Sequence, residues 1–199
     1  MRARLTKSAV ARRQLATAID LYFAGADEVS VYSLGANAWE VIDVLCVKTG
    51  VSSMSVQARQ NVPSGKDLKW DYINAPYRNF FKHADRDADA ELPPLTATHV
   101  EGLLYLAVED YIRLYKRSPV QLQVFQLWYL AKYPEKLDAS VAGELIADLR
   151  VAFPDLPSLS YEEQLEAGRR AVAEGATDSE ILSDPRTEPT FDGKGLGAG

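Results

Sequence analysis

Residues 6–50 read TKSAVARRQLATAIDLYFAGADEVSVYSLGANAWEVIDVLCVKTG. From Thr6 to Phe23 the apolar residues recur at helical spacing, with Leu15, Ala18, Ile19 and Tyr22 on one face. Gly25 and Asp27 break the pattern and restart it. From Glu28 to Lys48 a second stripe carries Leu34, Ala38, Val41, Ile42 and Leu45. Thr49-Gly50 follows, with glycine where a helix C-terminus favours a left-handed residue. Two amphipathic helices joined by so short a connection predict an antiparallel hairpin, and a hairpin of this length predicts a helical bundle.

The rest of the chain agrees with that class. Residues 51–65 have no clean period and contain Ser, Asn, Pro and Gly, so a loop is expected there. A helix is expected from Lys66 to Ala75, interrupted at Pro76, with a further turn or two over Tyr77–Asp87. Thr98-x-x-Glu101 has capping-box spacing and opens a helix with Val100, Leu103, Leu104, Ala107, Tyr111 and Leu114 aligned. Ser118-Pro119 reads as an N-cap followed by a first-turn proline. The next helix runs to Lys132 with Val124, Leu127, Trp128 and Ala131 inward, and Phe125 and Tyr129 beside them. Shorter helices are expected over 139–150 and 161–174, the second opened by Ser160-x-x-Glu163. No strand-type alternation competes. The expected architecture is all-α: a bundle of four or five principal helices over 1–135, a small helical C-terminal extension over 136–183, and a disordered tail over 184–199.

Composition excludes several classes. The chain has 199 residues, 47% hydrophobic and 25% charged, which fits a globular protein and not a disordered or fibrous one. Its charged N-terminus is not followed by an apolar run of spanning length, so it reads as neither a secretion signal nor a membrane span. A single cysteine, Cys46, permits no internal disulfide, and a cytoplasmic protein is expected. Cys46 follows Leu45 on an apolar helix and reads as a buried structural thiol. Residues 1–153 hold 18 basic and 18 acidic residues, while 154–199 hold 4 and 10, so the whole net charge of −6 lies in the C-terminal part. A neutral body excludes bulk attraction to nucleic acid, so any RNA contact must be local. No phosphate-binding glycine loop is present. Two histidines and one cysteine leave no ligand set for a zinc site, so neither cofactor nor metal is expected.

The informative stretch is Tyr77-Arg78-Asn79-Phe80-Phe81-Lys82-His83-Ala84-Asp85. RNA cleavage through the 2′-hydroxyl needs a group of near-neutral pKa to move a proton, and histidine is the ordinary choice. It also needs positive charge where the phosphorane builds negative charge, which a planar guanidinium supplies. Within one regular helix Arg78 and His83 stand about 140° apart. They therefore require either an irregular turn or a second subunit to converge.

The segment resembles the Arg-x4–6-His motif of the HEPN superfamily, in which a polar residue often follows the arginine, here Asn79. The order of a long helical hairpin followed by the motif is similar too, over roughly residues 5–132. The Phe80–Asp85 segment, FFKHAD, is also similar to one in an uncharacterised group of bacterial helical-bundle proteins. The resemblance implies one of two functions. In the first, the chain is a metal-independent endoribonuclease of toxin or phage-defence type, working as a homodimer with facing motifs. His83 moves the proton, Arg78 stabilises the phosphate, and Asn79 positions one of them. The products carry a 2′,3′-cyclic phosphate and a 5′-hydroxyl. In the second, catalysis is lost and the bundle binds or assembles with a partner, such as a protein or an antitoxin.

The residues also admit structural roles. His83 can cap a helix or bond Asp85, and Arg78 can pair with Asp71 or Asp85. Phe80 and Phe81 read as core or dimer-interface residues rather than base-stacking platforms. His83, Asp85, Asp87 and Asp89 read as a solvated acidic loop rather than a cation site. Glu40, in the middle of the second helix, is either exposed or an orienting partner for Arg78. The basic N-terminus reads as a solvated helix end or an RNA-steering cluster, and the acidic segment 155–192 as a cover for basic groups. An RNase requires Arg78 and His83 facing an open, positively charged cleft. A binding module requires an exposed apolar patch instead.

Overall fold

Thr6 accepts a hydrogen bond from the Ala9 N–H and starts α1 (Lys7–Phe23) in the computed structural model, which describes residues 5–137 and 142–189. Asp27 does the same for the Ser30 N–H at the start of α2 (Glu28–Thr49), and Gly50 ends it at φ 68°. The hairpin is as expected, and each end is closed by the residue chemistry that the sequence offers. After it come α3 (Met54–Gln60), a π-helical segment (Leu68–Arg78), the short α4 (Ala84–Asp87), α5 (Ala97–Tyr115) and α6 (Val120–Lys132). The C-terminal part holds α7 (Ala142–Ala152), α8 (Tyr161–Gly175) and α9 (Ser179–Ser183). The protein is all-α. Among the described residues no strand occurs, only an isolated bridge between Ser118 and Thr187.

α2 lies between α1 and α5, and α6 closes the bundle against α1, α5, α7 and α8. The core centres on Leu15, Ile19, Trp39, Ile42, Leu104, Phe125 and Trp128, all fully buried. Rings of Tyr22, Phe23, Phe125 and Trp128 meet in tilted and edge-on pairs, 5.4–5.8 Å between centroids. Such pairs add to plain burial because ring edges meet ring faces. Helices pack closely at Gly35, Gly168 and Gly175, where an added Cβ would stand under 3.0 Å from a neighbouring side chain. A Cβ on Gly35 would stand 2.9 Å from Leu104 Cδ2, and one on Gly168 would fall inside the Phe23 ring's van der Waals shell.

Several local readings differ from the structure. Residues 51–65 are not all loop, because Ser53 caps α3 and Ser55 anchors it: Trp39 Nε1 donates to Ser55 Oγ at 2.8 Å, and Ser55 donates to buried Asp110. The cap of α5 is Thr96, which accepts from the His99 N–H, not Thr98. Glu101, expected in the capping box, is buried in the core instead. Pro119 rather than Ser118 holds the N-cap position of α6, and the Ser118 backbone pairs with residues 186 and 188. The inward face of α6 centres on Leu122, Phe125, Trp128 and Tyr129, leaving Val124 and Leu127 half-buried. The box at Ser160 and Glu163 forms as expected. The extension shares the bundle's core through Leu149, Phe153, Leu156 and Leu165, and Trp128 Nε1 donates to the Gln164 carbonyl at 2.8 Å. Of the segment expected to be disordered, residues 186–188 are held against the bundle, and 190–199 lie outside the described residues.

Candidate functional site

Pro76 cannot continue a helix that needs its N–H, and the backbone at Ala75 is extended (φ −99°, ψ 144°), so the π segment kinks there. The turn after the kink presents Tyr77 and Arg78 to the bundle. Arg78 is nine-tenths buried: 10% of its side chain is accessible. Its Nη1 lies 2.5 Å from Glu40 Oε2 and donates to Asn74 Oδ1 at 2.9 Å, while Nη2 donates to Asn37 Oδ1 at 2.9 Å. Three of the five guanidinium N–H groups are thereby engaged. Nε, also buried, has no hydrogen-bond partner among the described residues. The partner of Arg78 is thus Glu40 and neither Asp71, which takes Lys66 at 3.0 Å, nor Asp85.

Glu40 accepts a second cation, Lys69, at 2.6 Å, and Lys69 sits over the Trp70 ring at 5.2 Å. Burial opposes ionisation of Glu40, but hydrogen bonds from Lys69 and Arg78 outweigh it and hold the carboxyl below its ordinary range. Burial, and then the like charges of Arg78 and Lys69, lower the pKa of Lys82 against the pull of Glu40. One carboxylate among Lys69, Arg78 and Lys82 leaves a local excess of positive charge.

His83 stands apart from the buried pocket of Arg78. It occupies the N-cap position of α4 without capping it through its side chain, and 38% of that side chain is accessible. Its Nδ1 lies 3.8 Å from Asp85 Oδ1, too far for a hydrogen bond. Asn79 is half-buried and follows Arg78 at the end of the π segment. Phe81 packs edge-on to Tyr32 at 6.2 Å, and Phe80 meets Phe81 at 6.4 Å, so both belong to an aromatic cluster beneath the motif. Among the described residues no three His, Cys, Asp or Glu gather to hold a metal ion, and Asp87 lies outside the described side chains. Cys46 is fully buried, and burial followed by the nearby carboxylates of Asp110 and Asp43 pushes its thiol up to about 12. A thiol so protonated is no nucleophile.

Three polar constellations carry no signal in the local sequence. Fully buried Glu101 accepts from Tyr22 Oη (2.5 Å), Tyr133 Oη (2.6 Å) and Lys132 Nζ (2.8 Å), joining α1, α5 and α6. Tyr22 and Tyr161, at the edge of this network, also line a 260 Å³ pocket beneath the α1–α2 turn. Arg59 donates to both oxygens of Asp43, at 2.9 and 2.6 Å, and ties α3 to α2. Glu188 meets Arg12 and Tyr111. Each partner lies 16 or more residues away in sequence, beyond the reach of local periodicity.

Comparison with protein-family models, with curated proteins and with solved structures finds no match to this chain. Among the described residues no helix is long and apolar enough to cross a membrane. Chemically, the motif region offers a neutralised arginine that fastens the π segment to α2, an accessible imidazole, and an unbalanced lysine.

Proposed function

We propose that the chain is a non-catalytic HEPN-like binding module, with Arg78 serving as a tether rather than as a phosphate ligand. The observation that carries this reading is the burial of Arg78 against Glu40, Asn37 and Asn74. A guanidinium so engaged would have to give up an ion pair before meeting a phosphorane. The docking face begins at Trp70, 60% accessible, and continues through Lys69 and Glu40 to Val44 and Val47 on the following turns of α2, where Val47 is 61% accessible. Apolar side chains left exposed together on one face mark interaction sites, and Trp70 is the side chain of the anchoring type. The partner proposed is a second copy of this chain, the homodimer that the HEPN resemblance implies. Val47→Asp should abolish association measured by light scattering while leaving the helical spectrum unchanged. An unchanged association state would remove this face from the proposal.

A second reading, the metal-independent endoribonuclease, draws its support from the accessibility of His83 beside Lys82 and the local positive excess. In that reading His83 moves the proton, Arg78 meets the phosphate after leaving Glu40, and Asn79 positions one of them. The two readings separate on labelled total RNA incubated with wild type and His83→Ala in EDTA. The module gives no cleavage that depends on His83. Cleavage by wild type, lost in a folded His83→Ala variant, would install the ribonuclease.

A further inference from the structure

Residues 186–188 are held by the bundle as a bound peptide is held by its receptor. The Ser118 N–H donates to the Arg186 carbonyl at 2.9 Å, and the Glu188 N–H donates to the Ser118 carbonyl at 3.0 Å. Between them Arg117 Nη2 donates to the Thr187 carbonyl at 3.1 Å, and Gln123 Nε2 donates to Thr187 Oγ1 at 3.0 Å. The Glu188 carboxylate takes Arg12 Nη1 at 2.8 Å and Tyr111 Oη at 3.0 and 3.1 Å. Both main-chain and side-chain groups of the Thr-Glu pair are thus read. Thr187 and Ser118 are buried.

The three residues add one parallel bridge to a chain segment that has no other strand partner among the described residues. Main-chain pairing of this kind gives affinity, and the side-chain contacts give specificity. Gln123 reads a hydroxyl, while Arg12 with Tyr111 reads a carboxylate. Arg12 comes from α1, Tyr111 from α5, Ser118 from the α5–α6 turn and Gln123 from α6, so the receptor belongs to the bundle and not to the tail. Arg186 points its own guanidinium back at Asp184 (2.6 Å) and contributes only its carbonyl to the receptor.

We propose that this notch is a peptide-recognition site for an extended acidic segment carrying Thr-Glu, occupied in cis by residues 186–188. The inference does not depend on the function proposed for the Arg78 region. A tether raises the local concentration of its own ligand to the millimolar range, so a free peptide competes only after the internal copy is weakened.

The test uses the full-length chain. Glu188→Lys removes the internal carboxylate and sets a cation against Arg12. The probe is a fluorescent peptide of residues 183–190, SDPRTEPT, followed by anisotropy. The folded Glu188→Lys variant should bind it at least about tenfold more tightly than wild type does, and a peptide with Lys in place of the Glu should bind about tenfold more weakly. No binding to the folded variant up to about 1 mM, the effective concentration of a short tether, would overturn the proposal. If Glu188→Lys does not fold, amide exchange of the wild type decides. Faster exchange at Ser118 and Glu188 than at the α2 core supports a displaceable segment, and exchange only together with that core overturns it.

Discussion

Arg78 Nη1 stands 2.5 Å from Glu40 Oε2, joining the π segment to the middle of α2. Glu40 takes Lys69 on its other oxygen at 2.6 Å, so one carboxylate holds two cations in place. The arginine of the sequence motif is therefore part of the scaffold in this arrangement, while the histidine five residues on is at the surface.

Acid should loosen this contact. The folded pKa of Glu40 lies below its ordinary 4.5. The stabilisation it contributes is complete above that ordinary value and disappears as pH falls through the lower folded one. In acid titrations followed by circular dichroism, Glu40→Gln should lower stability at neutral pH and reduce the dependence on pH below about 4.5. An acid profile parallel to that of wild type would show that Glu40 is not coupled to the fold.

Alkali should unfold the protein by a separate route. Burial, reinforced by Glu101 for Tyr22 and by Glu188 for Tyr111, raises these tyrosines above their ordinary 10.0. Tyr32 is pushed up to about 12 by burial, then by Tyr77, against the opposing effect of Arg78. Raised pKa values mean that the folded state keeps protons that the unfolded state releases, so stability falls as pH rises above 10. The slope is at most about 1.4 kcal/mol per pH unit for each such tyrosine. Tyrosinate absorbance should therefore appear together with loss of helical signal. Titration of all ten tyrosines in a still-helical protein would contradict this.

Gly168→Ala should destabilise by about 1–3 kcal/mol, the usual cost of overpacking. The added methyl enters the space of the Phe23 ring, where α8 meets α1. Thermal unfolding of Gly168→Ala against Gly102→Ala, whose Cβ meets nothing within 4 Å, isolates the contact. Equal melting temperatures would mean that α8 is not seated on α1 as described.

Glu101→Gln should cost about 2–4 kcal/mol, because it leaves half-buried Lys132 without its counter-charge. The double change Glu101→Gln with Lys132→Met should recover part of that loss, since no charge is then stranded. Urea denaturation of the three variants checks both halves. A double variant no better than Glu101→Gln would show that the tyrosine hydrogen bonds, not the ion pair, carry the effect.

The hairpin was legible because its stripes, its Asp27 cap and its Gly50 stop are all local. Leu15, Ala18, Ile19 and Tyr22 are buried as their spacing implied. In α2 the buried line is Val31, Gly35, Ala38, Trp39, Ile42 and Cys46, while Leu34, Val41 and Leu45 flank it half-buried. Trp39 and Gly35 carry no clear hydropathy signal, yet they set the rotation by a buried indole hydrogen bond and a close helix approach. Thr98, three residues before Glu101, gives the spacing of a capping box. Thr96 starts the helix one half-turn earlier, and the carboxylate is turned toward Tyr22 and Lys132, neither visible as a neighbour in sequence. Glu40 as the orienting partner of Arg78 was one of two readings its position allowed. Only packing of the π segment across α2 selects between them.

A double-mutant cycle across Glu40 and Arg78 tests the tether most directly. Thermal unfolding of wild type, Glu40→Gln, Arg78→Gln and the pair gives their coupling energy. The expected coupling is about 1–2 kcal/mol, as for contacting charges in one network, with RNA left intact by all four proteins in EDTA. Additive effects, within about 0.5 kcal/mol, together with EDTA-resistant cleavage that Arg78→Gln abolishes, would contradict it. Arg78 would then be a phosphate ligand and not a structural residue.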